Sequence, residues 1–382
     1  MRVVSAEREL QAILRQDFPS FIAKVFQTLS PGQTLVRSWV LEALAYHLEQ
    51  VRLGNIRRLI IAMPPRSLKS TVASVAFPAF VHCHDPTKRI ICVSYSNDLA
   101  KKFSNDYRAL IDNEWYRKLA PATRIGRFKD SEVEIELTAR GSRLATSTHG
   151  TLTGRGGDII VIDDPLKPID ALSETRRSAA NDWYSSTLRS RLDDPVRGAI
   201  VIVAQRIHVD DLIGYVLGGQ EGWTVLNLSA IAERKEEILV GEDTRHTRRV
   251  GELLFPDRMP LEELEKLRLE IGSDIFSAQY QQAPRAARRR NGQAPLDQAL
   301  HRTAEESDSH PAELGYGPEG RARQRLVGLH DVGADGGGLV SPGCLAPQSE
   351  LSGPQSHGEG PRAEMEGQSG VDRRGGDSHR AD

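Results

Sequence analysis

Leu59-Ile-Ile-Ala-Met-Pro-Pro-Arg-Ser-Leu-Lys-Ser-Thr71 is the stretch on which the reading of this chain turns. A short apolar run enters a tight Pro-Pro turn. Lys69 and Ser70 follow, and then a helix-compatible segment from Thr71 to Phe77. Strand, loop and helix in that order make a phosphate cradle. The loop's backbone N–H groups, the helix N-terminus and one lysine all converge on a polyphosphate. Lys69 and Ser70 fit the pattern G-x-x-x-x-G-K-[ST], but Met63 and Leu68 stand at its two glycine positions. Taken alone, the stretch is equally a strand ending in Pro64-Pro65 with a surface Lys-Ser behind it.

Composition divides the chain near residue 284. Up to that point there are 38 Lys+Arg against 37 Asp+Glu, so bulk charge does not announce a nucleic-acid binder and any DNA contact has to come from a local patch. From 285 to 382 there is no Lys, Ile, Phe or Trp, and Tyr316 is the only aromatic residue. That tail has no sustained period of 2 or 3.6 and is expected to be disordered, because it cannot bury enough apolar surface to offset ordering entropy. Cys83, Cys92 and Cys344 form neither a disulfide framework nor a metal-site spacing, which points to a reducing cytoplasm. No apolar run approaches membrane-spanning length and no signal-peptide core opens the chain, so neither a membrane protein nor an exported one is expected.

Apolar periodicity predicts a helix over 6–29 and another over 39–51. Short, near-continuous apolar strands then follow at 59–62, 89–94, 158–162, 199–204 and 223–228, with a hairpin at 132–137 and 143–146. Helices lie between them at 71–81 (kinked at Pro78), 99–111 and 173–192. Buried strands alternating with helices indicate a parallel sheet covered on both faces. Two further helices are expected at 261–269 and 272–282.

A phosphate loop needs an acid to hold Mg²⁺, and it belongs at the end of a neighbouring strand, since ligands bind at the carboxyl edge of a parallel sheet. Asp158-Ile-Ile-Val-Ile-Asp-Asp-Pro165 supplies it. Asp163 suits the metal, directly or through water, and Asp164 suits orienting or deprotonating the attacking water. Phosphoryl transfer also builds negative charge that arginines stabilise. Arg66 lies within the loop, and Arg155 lies on the glycine-flanked loop Thr153-Gly-Arg-Gly-Gly157, from which it could reach a neighbouring subunit's nucleotide. Gln205 or Arg206, at the end of the strand 199–204, could sense the γ-phosphate; a solvated strand end is as good a reading. Tyr95 could stack on adenine or be a core-edge tyrosine. His208 lacks a metal-ligand spacing and reads as structural.

Several of these motifs, in order, resemble the large terminase subunit of tailed bacteriophages and prophages. They are Met63-Pro-Pro-Arg-Ser-Leu-Lys-Ser70, Val93-Ser-Tyr-Ser-Asn-Asp-Leu-Ala100, Leu152-Thr-Gly-Arg-Gly156, Ile160-Val-Ile-Asp-Asp-Pro-Leu-Lys167, Gln205-Arg-Ile-His-Val-Asp-Asp-Leu212 and Phe276-Ser-Ala-Gln-Tyr-Gln-Gln-Ala-Pro284. The resemblance covers roughly residues 10–284. It implies the α/β fold of an ASCE-type P-loop NTPase, with a parallel sheet flanked by helices. It also implies an ATPase that drives double-stranded DNA into a prohead through the portal, as a homo-oligomeric ring working with a small terminase subunit. Such a protein works in the bacterial host cytoplasm and is absent from the mature virion. Carried over by position, Pro65, Arg66, Ser67, Leu68, Lys69, Ser70 and Thr71 surround the ATP phosphates, with Lys69 on the β/γ-phosphates. Ser70 and Asp163 hold Mg²⁺, Asp164 is the catalytic carboxylate, Arg66 is the loop arginine and Arg155 a finger in trans.

The implied organisation is an N-terminal helical segment (1–58) packed on an ATPase core (59–230), a linker or lid (231–284), and the tail. The family's metal-dependent nuclease domain is expected soon after Pro284, where this sequence changes character. Loss of Lys, Ile and Phe with a surplus of Arg, Gly, Ala and Pro is what GC-rich DNA yields out of frame, so we expect a frameshift near codon 284 and no nuclease activity. Translation of the other two frames tests this: neither giving a strand-rich stretch with metal-binding acids would contradict it. Two other readings stay open. One is a truncated, non-packaging prophage remnant that at most binds or hydrolyses ATP. The other is a helicase-type ATPase, which needs a second motor domain that residues 230–284 are too few to form.

Overall fold

The computed structural model describes residues 2–285, apart from 149, 151, 153, 220 and 221. The expectations for 285–382, disorder and a lost reading frame, lie outside the described residues save for Arg285. All the described residues fall in one compact unit.

Strand β1 (Arg58–Ala62) is apolar on both faces because both are covered. Leu59 and Ile61 join one core, Ile60 and Ala62 the other, and all four are buried. Upstream lie α1 (Arg2–Gln16), α2 (Phe18–Leu29) and α3 (Trp39–Arg52). The helix expected over 6–29 is two helices. Asp17 adopts extended backbone and its carboxylate accepts from the Ser20 N–H, capping α2, whose first turn holds Pro19.

After β1 the chain forms α4 (Lys69–Thr71), a π-helical stretch (Val72–Ala76) and α5 (Phe77–His84). The irregularity expected near Pro78 is thus a π-turn just before it. Next come β2 (Arg89–Ser94), α6 (Asn97–Asp112), α7 (Glu114–Leu119), β3 (Ile125–Asp130), β4 (Glu134–Leu137), β5 (Ser142–Ser147) and β6 (Ile159–Asp163). Then follow α8 (Glu174–Trp183), β7 (Ala199–Ala204), α9 (Leu212–Gly219), β8 (Thr224–Asn227), the antiparallel pair β9 (Glu236–Leu239) and β10 (Arg245–Arg248), α10 (Leu261–Ile271) and α11 (Ser273–Gln279). The helix expected over 173–192 is α only to Trp183, and continues as π (Tyr184–Leu188) and 3₁₀ (Arg189–Arg191) turns.

The main sheet runs β3-β4-β5-β2-β6-β7-β1-β8. β5, β2, β6, β7, β1 and β8 are mutually parallel, and β3 and β4 add an antiparallel edge. One face packs on α1–α3, α5 and α6 through an aromatic cluster in which Phe18 stacks on Phe80 at 4.4 Å. The other face is covered by Tyr184, Leu188, Leu212 and Val216. The expected α/β fold, a mainly parallel sheet flanked by helices, is present, and one strand, β7, separates the loop-bearing β1 from the acid-bearing β6. No helix among the described residues is long and apolar enough to cross a membrane.

Candidate functional site

Parallel register brings the strand ends level. Asp163 pairs with Ser94 on one side and with Val203 on the other, and Val203 pairs with Ile61. The loop leaving β1 and the acids leaving β6 therefore meet at one sheet edge, across the end of β7. Alternation decides where Asp163 points. Ile159 and Val161 face the core beneath the loop's helix, and Asp163 continues that series.

The loop between β1 and α4 has no glycine, yet Arg66 (φ +58°) and Leu68 (φ +63°) both adopt the left-handed conformation that glycine favours. Of the two glycine positions, Leu68 thus keeps the left-handed geometry without the glycine, at a cost of roughly 1–2 kcal/mol there and again at Arg66. Left-handed residues in such a loop turn successive N–H groups toward one concave side. Ser67 is buried there and its hydroxyl has no protein partner.

Lys69 is 5% exposed and its Nζ lies 3.4 Å from Asp164 Oδ2. Ser70 Oγ donates to Asp163 Oδ1 at 2.9 Å, and Ser74 Oγ donates to Asp163 Oδ2 at 3.1 Å. Asp163 is fully buried. Burial first, and the Asp164 charge second, push its carboxyl up to about 7 against the opposing pull of Lys69, Ser70 and Ser74. Asp164 itself has φ +44°, a strained angle that its short polar side chain tolerates better than most. Its Oδ1 accepts from the Gln205 backbone N–H at 3.1 Å. Beside it a hollow of about 20 Å³, lined by Asp164, Gln205 and Asp211 among others, has room for one water. The Gln205 side-chain carbonyl is buried without a partner.

Other predicted residues divide. Tyr95 and Arg66 line the main cavity, of about 1040 Å³, which runs along the loop from Pro64 to Thr71. Arg206 is placed elsewhere. Its Nε donates to both oxygens of Asp211 at 3.0 and 2.9 Å, and its Nη2 to the His208 carbonyl, so the guanidinium serves the turn after β7. Arg155 is ion-paired to Glu134 at the start of β4 and does not line the cavity. His208 Nδ1 accepts from the Asp210 N–H.

Sequence reasoning missed the far wall, which Leu254, Phe255, Arg258, Met259, Leu264 and Tyr280 form. The expected linker or lid is bound to the core there: Arg248 donates to the Ser229 and Glu252 carbonyls, and Gln282 Oε1 accepts from the Arg206 N–H. Partial burial and then the Arg66 charge push the Arg258 guanidinium below its ordinary value. Among the described residues neither arginine has an ion-pair partner, so two unneutralised cations flank the cavity. Nothing in the sequence around Arg258 signals this. Ser74, four residues after Ser70, carries a signal in that spacing, which on a regular helix puts both hydroxyls on one face.

Loop, lysine, hydroxyl and twin carboxylates thus meet at the carboxyl edge of an α/β sheet, on two strand ends with β7 between them, rather than on directly neighbouring strands as expected. No family model matches the sequence, and no curated protein matches it. Among solved structures the chain is similar to the large terminase of bacteriophage HK97, with TM-score 0.42, 12% identity, 71% of this chain covered and 55% of that one. It is also similar to the large terminase ATPase domain of Thermus phage P74-26, with TM-score 0.40, 16% identity, and 68% and 96% covered. A third is S. cerevisiae dbp5 bound to gle1 and ip6, with TM-score 0.32, 12% identity, and 49% and 46% covered. The chain spans about half the length of the HK97 protein, at 55%.

Proposed function

We propose that this chain hydrolyses ATP as the motor subunit of a large-terminase-type DNA-packaging machine. The observation that carries the proposal is the Lys69–Asp164 and Ser70–Asp163 pairing at 3.4 and 2.9 Å on two strand ends separated by one strand. The motifs quoted from the sequence supply the packaging part of the reading, with double-stranded DNA, the portal, a small terminase subunit and a ring of like subunits as partners in the host cytoplasm.

The donors fit a magnesium nucleotide. Ser70 and Asp163 offer hard oxygens of the kind Mg²⁺ takes, and the unpartnered Ser67 hydroxyl and the loop N–H groups offer donors to phosphate. Ser70 and Asp163 would hold Mg²⁺, which would supply neutralisation of the charge that develops during phosphoryl transfer. Lys69 exchanges its contact with Asp164 for the β/γ-phosphate oxygens. Asp164, freed of that cation and held by the Gln205 N–H, orients the attacking water and takes its proton. Arg66 stabilises charge on the γ-phosphate oxygens, and Tyr95 gives the adenine a flat surface. Arg155 serves a neighbouring subunit once it leaves Glu134. Hydrolysis and translocation belong to residues 1–284, and the cutting activity of the family is proposed to be lost with the expected frameshift.

ATP turnover of the full chain with and without linear double-stranded DNA tests the reading. Stimulation by DNA is expected. Turnover indifferent to DNA would remove the motor and leave an ATPase remnant.

A further inference from the structure

Asp163 must present one oxygen toward Ser70 while being fully buried beside a second carboxylate. Its other oxygen has a holder of its own. Ser74 Oγ donates to Oδ2 at 3.1 Å from a position 1% exposed. Ser74 lies in the π-helical stretch Val72–Ala76, where the ordinary hydrogen-bond ladder breaks. Pro78, four residues on, has no N–H to give the Ser74 carbonyl. The carbonyl is taken instead by Arg143 Nη2 at 2.9 Å, from β5.

Arg143 is an unusual residue for this place. It is completely buried, its Nε and Nη1 have no partner, and among the described residues no carboxylate pairs with it. Its guanidinium carbon lies 5.4 Å from the Tyr107 ring centroid. His82 Nε2 can only donate to the Lys88 carbonyl, at 2.9 Å, so Nδ1 accepts from the Tyr107 hydroxyl at 2.6 Å, and burial holds the ring uncharged. A buried cation with two unpartnered nitrogens costs stability that an apolar side chain of the same length would not. Among the described residues its one side-chain hydrogen bond runs to Ser74.

We infer that Ser74 and Arg143 are positioning residues for Asp163: the Ser74 hydroxyl fixes the carboxylate's rotation, and Arg143 fixes Ser74 by donating to the carbonyl that Pro78 cannot serve. This rests on the nucleotide-site reading proposed above. Neither residue touches substrate. Outer partners of this kind typically change metal affinity by about 10–100-fold.

The test uses the full chain and a fluorescent ATP analogue, titrated in EDTA and then against Mg²⁺. In Ser74→Ala the Mg²⁺ concentration at half-maximal tightening rises about tenfold, while metal-free nucleotide affinity stays within about twofold. Arg143→Met shifts the Mg²⁺ midpoint in the same direction, and Arg143→Lys, which can still donate to the carbonyl, shifts it less. A general packing defect would instead weaken metal-free and metal-dependent binding together, and that result overturns the inference. So does an unmoved Mg²⁺ midpoint in Ser74→Ala when the unsubstituted chain binds nucleotide normally. An unsubstituted chain that binds no nucleotide overturns the nucleotide-site reading as well.

Discussion

Arg66 carries both strain and function. It is exposed, and its φ of +58° costs about 1 kcal/mol that glycine would not incur. Glycine would return a similar amount by loosening the unfolded chain. Arg66→Gly is therefore expected to leave the melting temperature nearly unchanged while lowering ATP turnover at least tenfold. A loss of turnover accompanied by an equal loss of stability would mean that the side chain is structural. Asp163 makes a second, pH-dependent case. Its carboxyl is raised from 3.8 to about 7 in the fold, so the folded state holds the proton more tightly than the unfolded state. That contribution to stability is complete below about pH 4 and is lost as pH rises through 7. Compared with Asp163→Asn, the nucleotide- and metal-free protein should lose melting temperature between pH 4 and 7, and a relative gain over that window would contradict the shift. Lys69, Ser70, Asp163 and Asp164 were legible because residue types and strand ends alone place them. Arg206 misled because Asp211, five residues on, claims it.

At the scale of elements, buried strands were the easiest to read. β2 and β7 lie at their expected bounds because both faces of each are apolar. Helix ends were harder. The break between α1 and α2 depends on one cap, Asp17, inside an apolar pattern that runs on through Phe18 and Ile22. Asp17→Ala should cost about 1 kcal/mol of stability, read as a lower denaturation midpoint, with ATP turnover unchanged because α2 lies outside the cavity. A drop in turnover without destabilisation would show that α2 reaches the site. β9 and β10 could not be foreseen. Glu236, Glu237, Arg245 and Arg248 put charge where alternation would put apolar side chains, and the pair is anchored by side chains remote in sequence. His246 stacks on Trp39 at 4.3 Å and Arg248 lies over the same ring.

The whole molecule joins two pieces of different legibility. From β1 to β8 the strands along the chain and the edge that carries the acids follow from sequence pattern and the rule that sites form at the carboxyl edge, whereas the insertion of β7 between β1 and β6 does not. The segment from 231 to 284 has no such rule, yet it closes the cavity with Phe255, Arg258 and Tyr280 and bonds back to the strand ends through Gln282. A nucleotide held between the loop and that wall would couple the two pieces. The central claim is that this edge hydrolyses ATP. Steady-state phosphate release by the purified full chain, compared with Lys69→Ala under saturating Mg²⁺-ATP, tests it most directly. Turnover in the unsubstituted chain that falls at least a hundredfold in Lys69→Ala is the predicted result, whereas equal turnover in both would contradict the account.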